Sequence, residues 1–462
     1  MSSQSRSLPR PTLSDMRAMI GLALPVVVVQ VGWMAMGVVD TMMVGHLSAT
    51  ALASVALGNL YYFGVTIFGM GVVMALDPIV AQAVGAGDGV GVSRGVQRGL
   101  VLSLLLTVLS VLLLLPASTV LMMLRQPPEV LPDAAGYVDA TIAGVFPLFA
   151  FTVLRQSLQA MSRVAPIVVA VIAANLANGA LNWVFIYGHL GSPAMGAVGA
   201  GVATSISRWL LAFLLLGFAW RDLRPVLSPW RRDAFAIGPL GRMLAIGLPI
   251  GAQFVLEASA FNVIGLMMGW LGTAAMGGHQ VAINLASLTF MVPLGVSSAA
   301  AVLVGQAVGR GDAPAARRLA TAALACGVGF MSLTAIAFLT AHGPLARVYS
   351  ADPQVLAVAA ALIPVAGVFQ IFDGTQVVAI GVLRGAGDTR TPMVVAMLGY
   401  WLLGMPTSLY LGFRAGAGAA GLWWGLVVGL AVVAIVLLTR VRLRLGGELR
   451  RVVVDRGIHS AA

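Results

Sequence analysis

Charge is scarce in this chain. Of its 462 residues only 9% are Asp, Glu, Lys or Arg, where a soluble protein carries about a quarter. Lysine is missing altogether, so all 27 basic residues are arginine, which we attribute to codon composition. There is 1 cysteine, Cys326, in the apolar run 322–330. An intramolecular disulfide is therefore excluded, and neither a CxxC nor a zinc-ligand spacing exists. The histidines (His46, His189, His279, His342 and His459) are scattered. That leaves no metal site and no nucleophile–base arrangement for an intramembrane enzyme, so no catalytic residue and no cofactor is expected. The polar first 17 residues run straight into a long apolar span. They lack the short apolar core and small-residue cleavage site of a signal peptide. The glycine-rich "GAGD" and "GRGD" follow no strand pattern and read as turns rather than phosphate loops.

What is abundant is apolar sequence. Hydrophobic residues make up 59% of the chain and the mean hydropathy is +0.97. Runs of about 20 apolar residues, enough to cross a hydrocarbon core about 30 Å thick, recur throughout. About twelve are legible, near 18–44, 51–83, 97–123, 136–160, 166–188, 199–220, 243–269, 277–308, 319–342, 355–383, 392–412 and 419–439. Backbone groups in lipid must be satisfied within the segment, so these are helices and the fold is an all-α integral membrane protein. A sequence pI near 11.0 would suggest nucleic acid for a soluble domain. Here the arginines sit in alternate loops. One side of the membrane and both termini collect 23 of them, the other side only Arg125, Arg347 and Arg414, and Arg208 falls inside a span. The positive-inside rule then puts both termini in the cytoplasm of a multi-pass membrane protein. The basic tail "RVRLRLGGELRR" is also suited to anionic lipid headgroups, although orientation alone explains it.

The chain repeats itself at an offset of 224: "AQAVGAGD" (81–88) returns as "GQAVGRGD" (305–312), identical at six of eight positions. Leu24–Pro25 aligns with Leu248–Pro249, and Arg94 with Arg318. Six spans precede the polar stretch 221–233 and six follow it. An even number makes the repeats parallel, two six-helix lobes related by a pseudo-two-fold along the membrane normal, with a site within or between them. The expected organisation is a cytoplasmic segment 1–17, an N-lobe 18–220, a linker 221–241, a C-lobe 242–440 and a basic tail 441–462.

Four acids lie inside spans: Asp40, Asp77, Glu257 and Asp373. A charged group at the bilayer centre costs about 2.5–3.5 kcal/mol on insertion scales, so each is a functional candidate. The competing reading is an acid that pins two helices together by hydrogen bonds. The repeat weighs against that, because Asp40 aligns with Ile264, Glu257 with Trp33, and Asp373 falls near Leu148. The scaffold is duplicated and the acids are not. At about 1.5 Å per residue, Glu257 stands about 22 Å from Arg242 and Asp373 about 16 Å from Arg384, both near the midplane of the C-lobe. They are placed to share one pocket. Asp40 has its best polar company in Asn178 and Asn182, four apart and on one face of the fifth span. By depth alone Asp77 and Arg208 are candidates for an N-lobe ion pair.

At these residues the chain resembles the multidrug and toxin extrusion (MATE) family, in its NorM-like bacterial branch. The likeness covers nearly the whole sequence. It rests on "LPVVVVQVGWMAMGVVDTMMVGHLS" in the first span, "NWVFIYG" in the fifth, "GGHQVAINLASLTFMVPLGVSSAAAVLVGQAVG" in the eighth and, most specifically, "FDGTQVVAIGVLRGAGDTRTP" in the tenth. Glu257 in "FVLEASAF", together with Asp373, matches the acid pair that marks this branch. The resemblance implies a cation-coupled antiporter of the bacterial inner membrane, monomeric and lipid-embedded, that exports varied and often cationic amphipathic drugs. Glu257 and Asp373 match its C-lobe cation site, and Asp40, Asn178 and Asn182 its N-lobe polar site. Asp77 and Arg208 are not part of the pattern. His279 and Gln280, at the start of the eighth span, are candidates for a cation route, with interhelical hydrogen bonding as the plainer alternative. The methionines of spans one and seven, Met34 and Met267 among them, suit an adaptable pocket but are also ordinary membrane filler.

Taking a carboxylate out of water disfavours its charged form, so a buried acid takes up a proton, or a pair of acids holds Na+ through oxygen ligands. Either ion would serve as the coupling cation at Glu257 and Asp373, biasing the lobes toward one conformation if cation and drug prefer different states. The nearest alternative is a flippase for a lipid-linked precursor, of the same broader superfamily. That activity calls for extra spans and a basic cleft, whereas this chain has acids. A passive channel fits poorly with a two-lobe repeat carrying single-copy acids.

Overall fold

The computed structural model describes residues 9–455. Arg6, Arg456 and His459, with the ends of the expected 1–17 and 441–462 segments, lie outside the described residues. Among the described residues, 11 helices are long and apolar enough to cross a membrane, or 12 if a bent pair counts as one span. The first lobe's run comprises α1 (Leu13–Gly45), α2 (Ala49–Val73), α3 (Leu76–Gly85), α4 (Gly89–Leu114), α5 (Ala117–Met123), α6 (Leu131–Ile142), α7 (Val145–Ala160), α8 (Ala165–Tyr187), α9 (Gly196–Phe218) and α10 (Trp220–Leu227). The second comprises α11 (Ile237–Trp270), α12 (Thr273–Gly309), α13 (Ala313–Thr340), α14 (His342–Tyr349), α15 (Pro353–Gly385), α16 (Arg390–Ala396), α17 (Met405–Leu409) and α18 (Gly418–Gly446). Two π-helical stretches, Met397–Gly404 and Tyr410–Arg414, flank α17.

The repeated octapeptide folds the same way twice. Gly87 and Gly311 take φ of 68° and 75°, conformations that glycine adopts without a Cβ clash. The following aspartates then cap the next helix: Asp88 accepts from Gly91 N at 2.8 Å and Asp312 from Ala315 N at 2.9 Å. Each cap satisfies a backbone donor that the helix start leaves unpaired.

The fourth span departs from the single run 136–160. It begins at Leu131 and breaks between α6 and α7, which meet at 49°. A break inside the membrane frees backbone carbonyls that lipid cannot satisfy. α9 supplies the donors: Ser205 Oγ reaches Ala140 O at 2.6 Å and Trp209 Nε1 reaches Ala143 O at 2.9 Å. Ser205 and Trp209 are four residues apart and so share one face of α9.

The molecule divides into two compact units, one of residues 1–27 and 252–452, the other of 28–251 and 453–462. These boundaries correct the linker-based expectation. They fall inside α1 and α11, at repeat-related positions just after Pro25 and Pro249. A proline in a helix removes one backbone hydrogen bond and permits a bend there. The leading part of each of these helices thus belongs to the unit formed by the other repeat. Glycines at matching positions make room for it. A Cβ on Gly71 would stand 2.5 Å from Gly251 Cα, and one on Gly295 would stand 3.0 Å from Val27 N. The aligned arginines anchor the incoming ends, Arg94 pairing with Asp233 at 2.6 Å and Arg318 with Asp15 at 3.1 Å. The stretch 221–241 is no free linker. Gln97 holds it against α4 through Val226 O and Pro229 O, each at 3.1 Å, and accepts from Arg231 N at 2.9 Å.

The tail is likewise tied down. Just before it, Arg440 of α18 pairs with Asp388 at 2.7 Å on the turn before α16. Further on, Asp455 pairs with Arg98 at 2.7 Å, and Val454 O accepts from Arg242 at 2.6 Å. Arg155, one of the 23 arginines counted on the cytoplasmic side although it falls within the run 136–160, is buried within α7.

Candidate functional site

Asp373 lies in the buried stretch of α15 and Glu257 on α11, both in the unit that contains residues 252–452. The structure brings them within electrostatic reach: the Glu257 carboxylate acts on Asp373, and both act on Tyr400. Gln376, one turn beyond Asp373, donates to the Asp373 carboxylate at 3.3 Å and to Tyr400 Oη at 2.7 Å. Gln253 donates to Glu257 at 3.0 Å from one turn before it. Tyr400 arrives from the π-helical stretch, whose orientation is fixed next door by Trp401 Nε1 bonding to Leu256 O at 3.1 Å. Neither acid forms an ion pair among the described residues. Arg384, lying over the Phe254 ring at 5.8 Å, is a basic group whose field reaches Glu257. The carbonyl oxygen of Gln376 is buried without a hydrogen-bond partner. An unpaired acceptor beside two carboxylates is an arrangement that lacks positive charge, and a proton or a small cation supplies it.

The other unit assembles a different kind of acid site. Asp40 of α1 is 6% exposed, and both its oxygens are occupied. Asn182 Nδ2 donates to one at 2.5 Å and Thr204 Oγ1 to the other at 3.0 Å. Asn182 also donates to Asn178 Oδ1 at 3.2 Å, as their i,i+4 spacing on α8 requires. Asp40 and Thr204 border a cavity of about 230 Å³ that is also lined by Trp33, Met36, Tyr62 and Arg208. Thr204 and the aromatic partners were not singled out by sequence. Nothing in local spacing marks them, since α9 and α2 meet α1 only in the packed unit.

Other candidates fall elsewhere. His279 is buried, but its Nδ1 accepts from Trp423 Nε1 at 3.2 Å, the interhelical bond expected as the plainer alternative. Gln280, the next residue, is exposed. Met267 packs in the apolar core with Met268, Phe369 and Trp423. On α1 the cavity is lined by Met36 and not by Met34. The proposed Asp77–Arg208 pair does not form. Asp77 acts on Arg155 of α7, whose Nη1 bonds Gln30 at 3.2 Å, and Arg208 sits over the Tyr62 ring at 4.4 Å. Similar depth did not imply a shared face, because each residue turns a helix by about 100°. Among the described residues no three His, Cys, Asp or Glu side chains group as metal ligands.

Comparison with known proteins finds one family model, MatE, over residues 25–184 and 249–410. The chain is 36% identical over 435 residues to the multidrug resistance protein MdtK of Edwardsiella ictaluri, covering 93% of this chain and 95% of that protein. It is 38% identical over 431 residues to a probable multidrug resistance protein NorM of Rhizobium meliloti, covering 91% and 92%. Among solved structures it is similar to the eukaryotic MATE transporter AtDTX14, with a TM-score of 0.86 at 22% identity over 94% of this chain and 98% of that one. The bent form of the Vibrio cholerae MATE transporter VcmN gives a TM-score of 0.82 at 18% identity, over 94% and 98%.

Proposed function

The chain belongs to the MatE family of multidrug efflux antiporters, and from that premise we propose that the Glu257–Asp373 pair couples export to cation entry. Its setting is the inner membrane of a bacterium, which the chain spans many times. The arginine asymmetry supports an orientation with both termini in the cytoplasm. The observation that carries the coupling assignment is the unpaired acid pair with the orphaned Gln376 oxygen beside Asp373. Two carboxylates in a low dielectric repel each other, so the empty pair is costly and a proton or Na+ relieves it. A conformation that brings the acids together gains when the cation is bound, and one that separates them gains when it leaves. Drug and cation then exchange if they favour opposite states.

The chain's partners on this reading are small-molecule drugs, the coupling cation and membrane lipids. It needs no cofactor and no catalytic group, and one chain contains both acid sites. The test is export of a fluorescent organic cation from proteoliposomes under a Na+ gradient and a pH gradient imposed separately. Uphill movement under at least one gradient supports the proposal. Equal movement with and without both contradicts it, and headgroup scrambling of a labelled lipid-linked pyrophosphate would favour the flippase instead.

A further inference from the structure

Arg208 is the feature that cation coupling leaves unexplained. It brings a permanent positive charge to the cavity that borders Asp40, in a protein whose relatives are named for drug resistance. Its field reaches Asp40, but the two oxygens of that carboxylate are taken by Asn182 and Thr204. No ion pair joins the two residues among the described residues. The guanidinium rests instead on the face of Tyr62, with Cζ 4.4 Å from the ring centroid. Such a contact holds a cation without using its N–H donors. The side chain reaches this place over the break between α6 and α7. A Cβ on Gly144 would come 3.0 Å from Arg208 Cδ, so a larger residue there would crowd the stem.

Two donors are left over. Arg208 Nη1 and Tyr62 Oη are both buried with no hydrogen-bond partner, and Tyr62 is only 2% exposed. Both residues line the same cavity. A buried donor without an acceptor is costly, and a charged one more so. We propose that Arg208 and Tyr62 form an anion-recognising end of this cavity, and that it takes the carboxylate of zwitterionic compounds while Asp40 stands at the other pole. A carboxylate accepts from both donors at once, and a guanidinium–carboxylate bond is among the stronger hydrogen bonds available. An ester of the same compound leaves the donors unpaired and adds a cation to a cavity that already holds one. The cavity therefore discriminates by charge pattern as well as by shape. At about 230 Å³ it is smaller than the roughly 300–1,000 Å³ usual for whole drug-sized ligands, so it receives the charged end of a larger molecule.

The substrate half of this inference rests on the export reading, and the test separates the two. The probes are rhodamine B, a zwitterion, and its ethyl ester, a cation with the same ring system. Binding of each to purified protein in nanodiscs is followed by fluorescence polarisation. In Arg208→Gln the affinity for rhodamine B should fall about tenfold, as for a lost charge-assisted hydrogen bond, with ester binding unchanged or tighter. Tyr62→Phe should cost rhodamine B about threefold, a neutral hydrogen bond's worth, and leave the ester alone. Intact ester binding also shows that each variant is folded. If Arg208→Gln does not fold, the Tyr62→Phe ratio decides. An unchanged ratio of the two affinities in a folded variant overturns the inference, whether both fall together or neither moves. Failure of wild-type protein to move the ester uphill in proteoliposomes would instead count against export, whatever the binding ratio.

Discussion

Asp40 in one unit and the Glu257–Asp373 pair in the other are acids on a duplicated scaffold, yet their surroundings differ in kind. Asp40 is a satisfied acceptor: donors on α8 and α9 occupy both its oxygens. Asp373 receives one donor, Gln376, which it shares with Tyr400, and it has a second carboxylate for a neighbour. Hydrogen-bond donors stabilise a charge in place. A neighbouring like charge makes occupancy by a cation matter. The difference teaches that duplication supplied the helices and their matching glycine contacts, while unlike chemistry was set into each copy. One unit is built to hold a polar group, the other to respond to one.

The shared scaffold is the part of this comparison that breaks hardest. Gly71→Val would push a branched side chain into the Gly251 backbone, and Gly295→Val would meet Val27. Overpacking of this sort costs about 1–3 kcal/mol, more where the obstacle is backbone. Both variants should melt earlier in detergent, Gly71→Val the earlier of the two, and wild-type melting of either would refute the matched packing. Next comes the acid pair. Glu257→Gln should lower gradient-driven export by about tenfold or more, within the usual range of coupling free energies. Adding Asp373→Asn should cost little further, because residues of one site are non-additive. A double variant far worse than either single, measured at equal incorporation, would mean two separate sites. The smallest effect belongs to Asp40→Asn, which keeps shape and one acceptor. A hydrogen bond contributes about 1 kcal/mol net, so drug resistance of expressing cells should fall by about fivefold with insertion intact. Full resistance would make Asp40 a packing residue only.

Much of this was legible in the sequence because lipid simplifies the problem. Apolar runs, arginine asymmetry and the 224-residue repeat define the spans and their pairing, and the scarcity of charge makes four intramembrane acids conspicuous. The partners of those acids were less visible. Gln376 lies within the most specific motif, but its bond to Tyr400 depends on a π-helical turn that no periodicity announces. Thr204, Tyr62 and Arg208 reach Asp40's cavity from helices distant in sequence, and only their azimuth brings them there. Depth without azimuth is what misled the Asp77–Arg208 pairing. The unit boundaries escaped for another reason. A polar stretch reads as a linker, whereas here contacts change hands within two proline-bearing helices and the stretch itself is bound to α4.

The central claim is that Asp373 couples transport to a cation and is not a packing element. The direct measurement is gradient-driven export of a fluorescent cation by Asp373→Asn in proteoliposomes, beside binding of the same dye to the purified variant. The account predicts that uphill export is lost while dye binding survives, since binding and coupling are separate free energies. Near-normal uphill export by Asp373→Asn would contradict it.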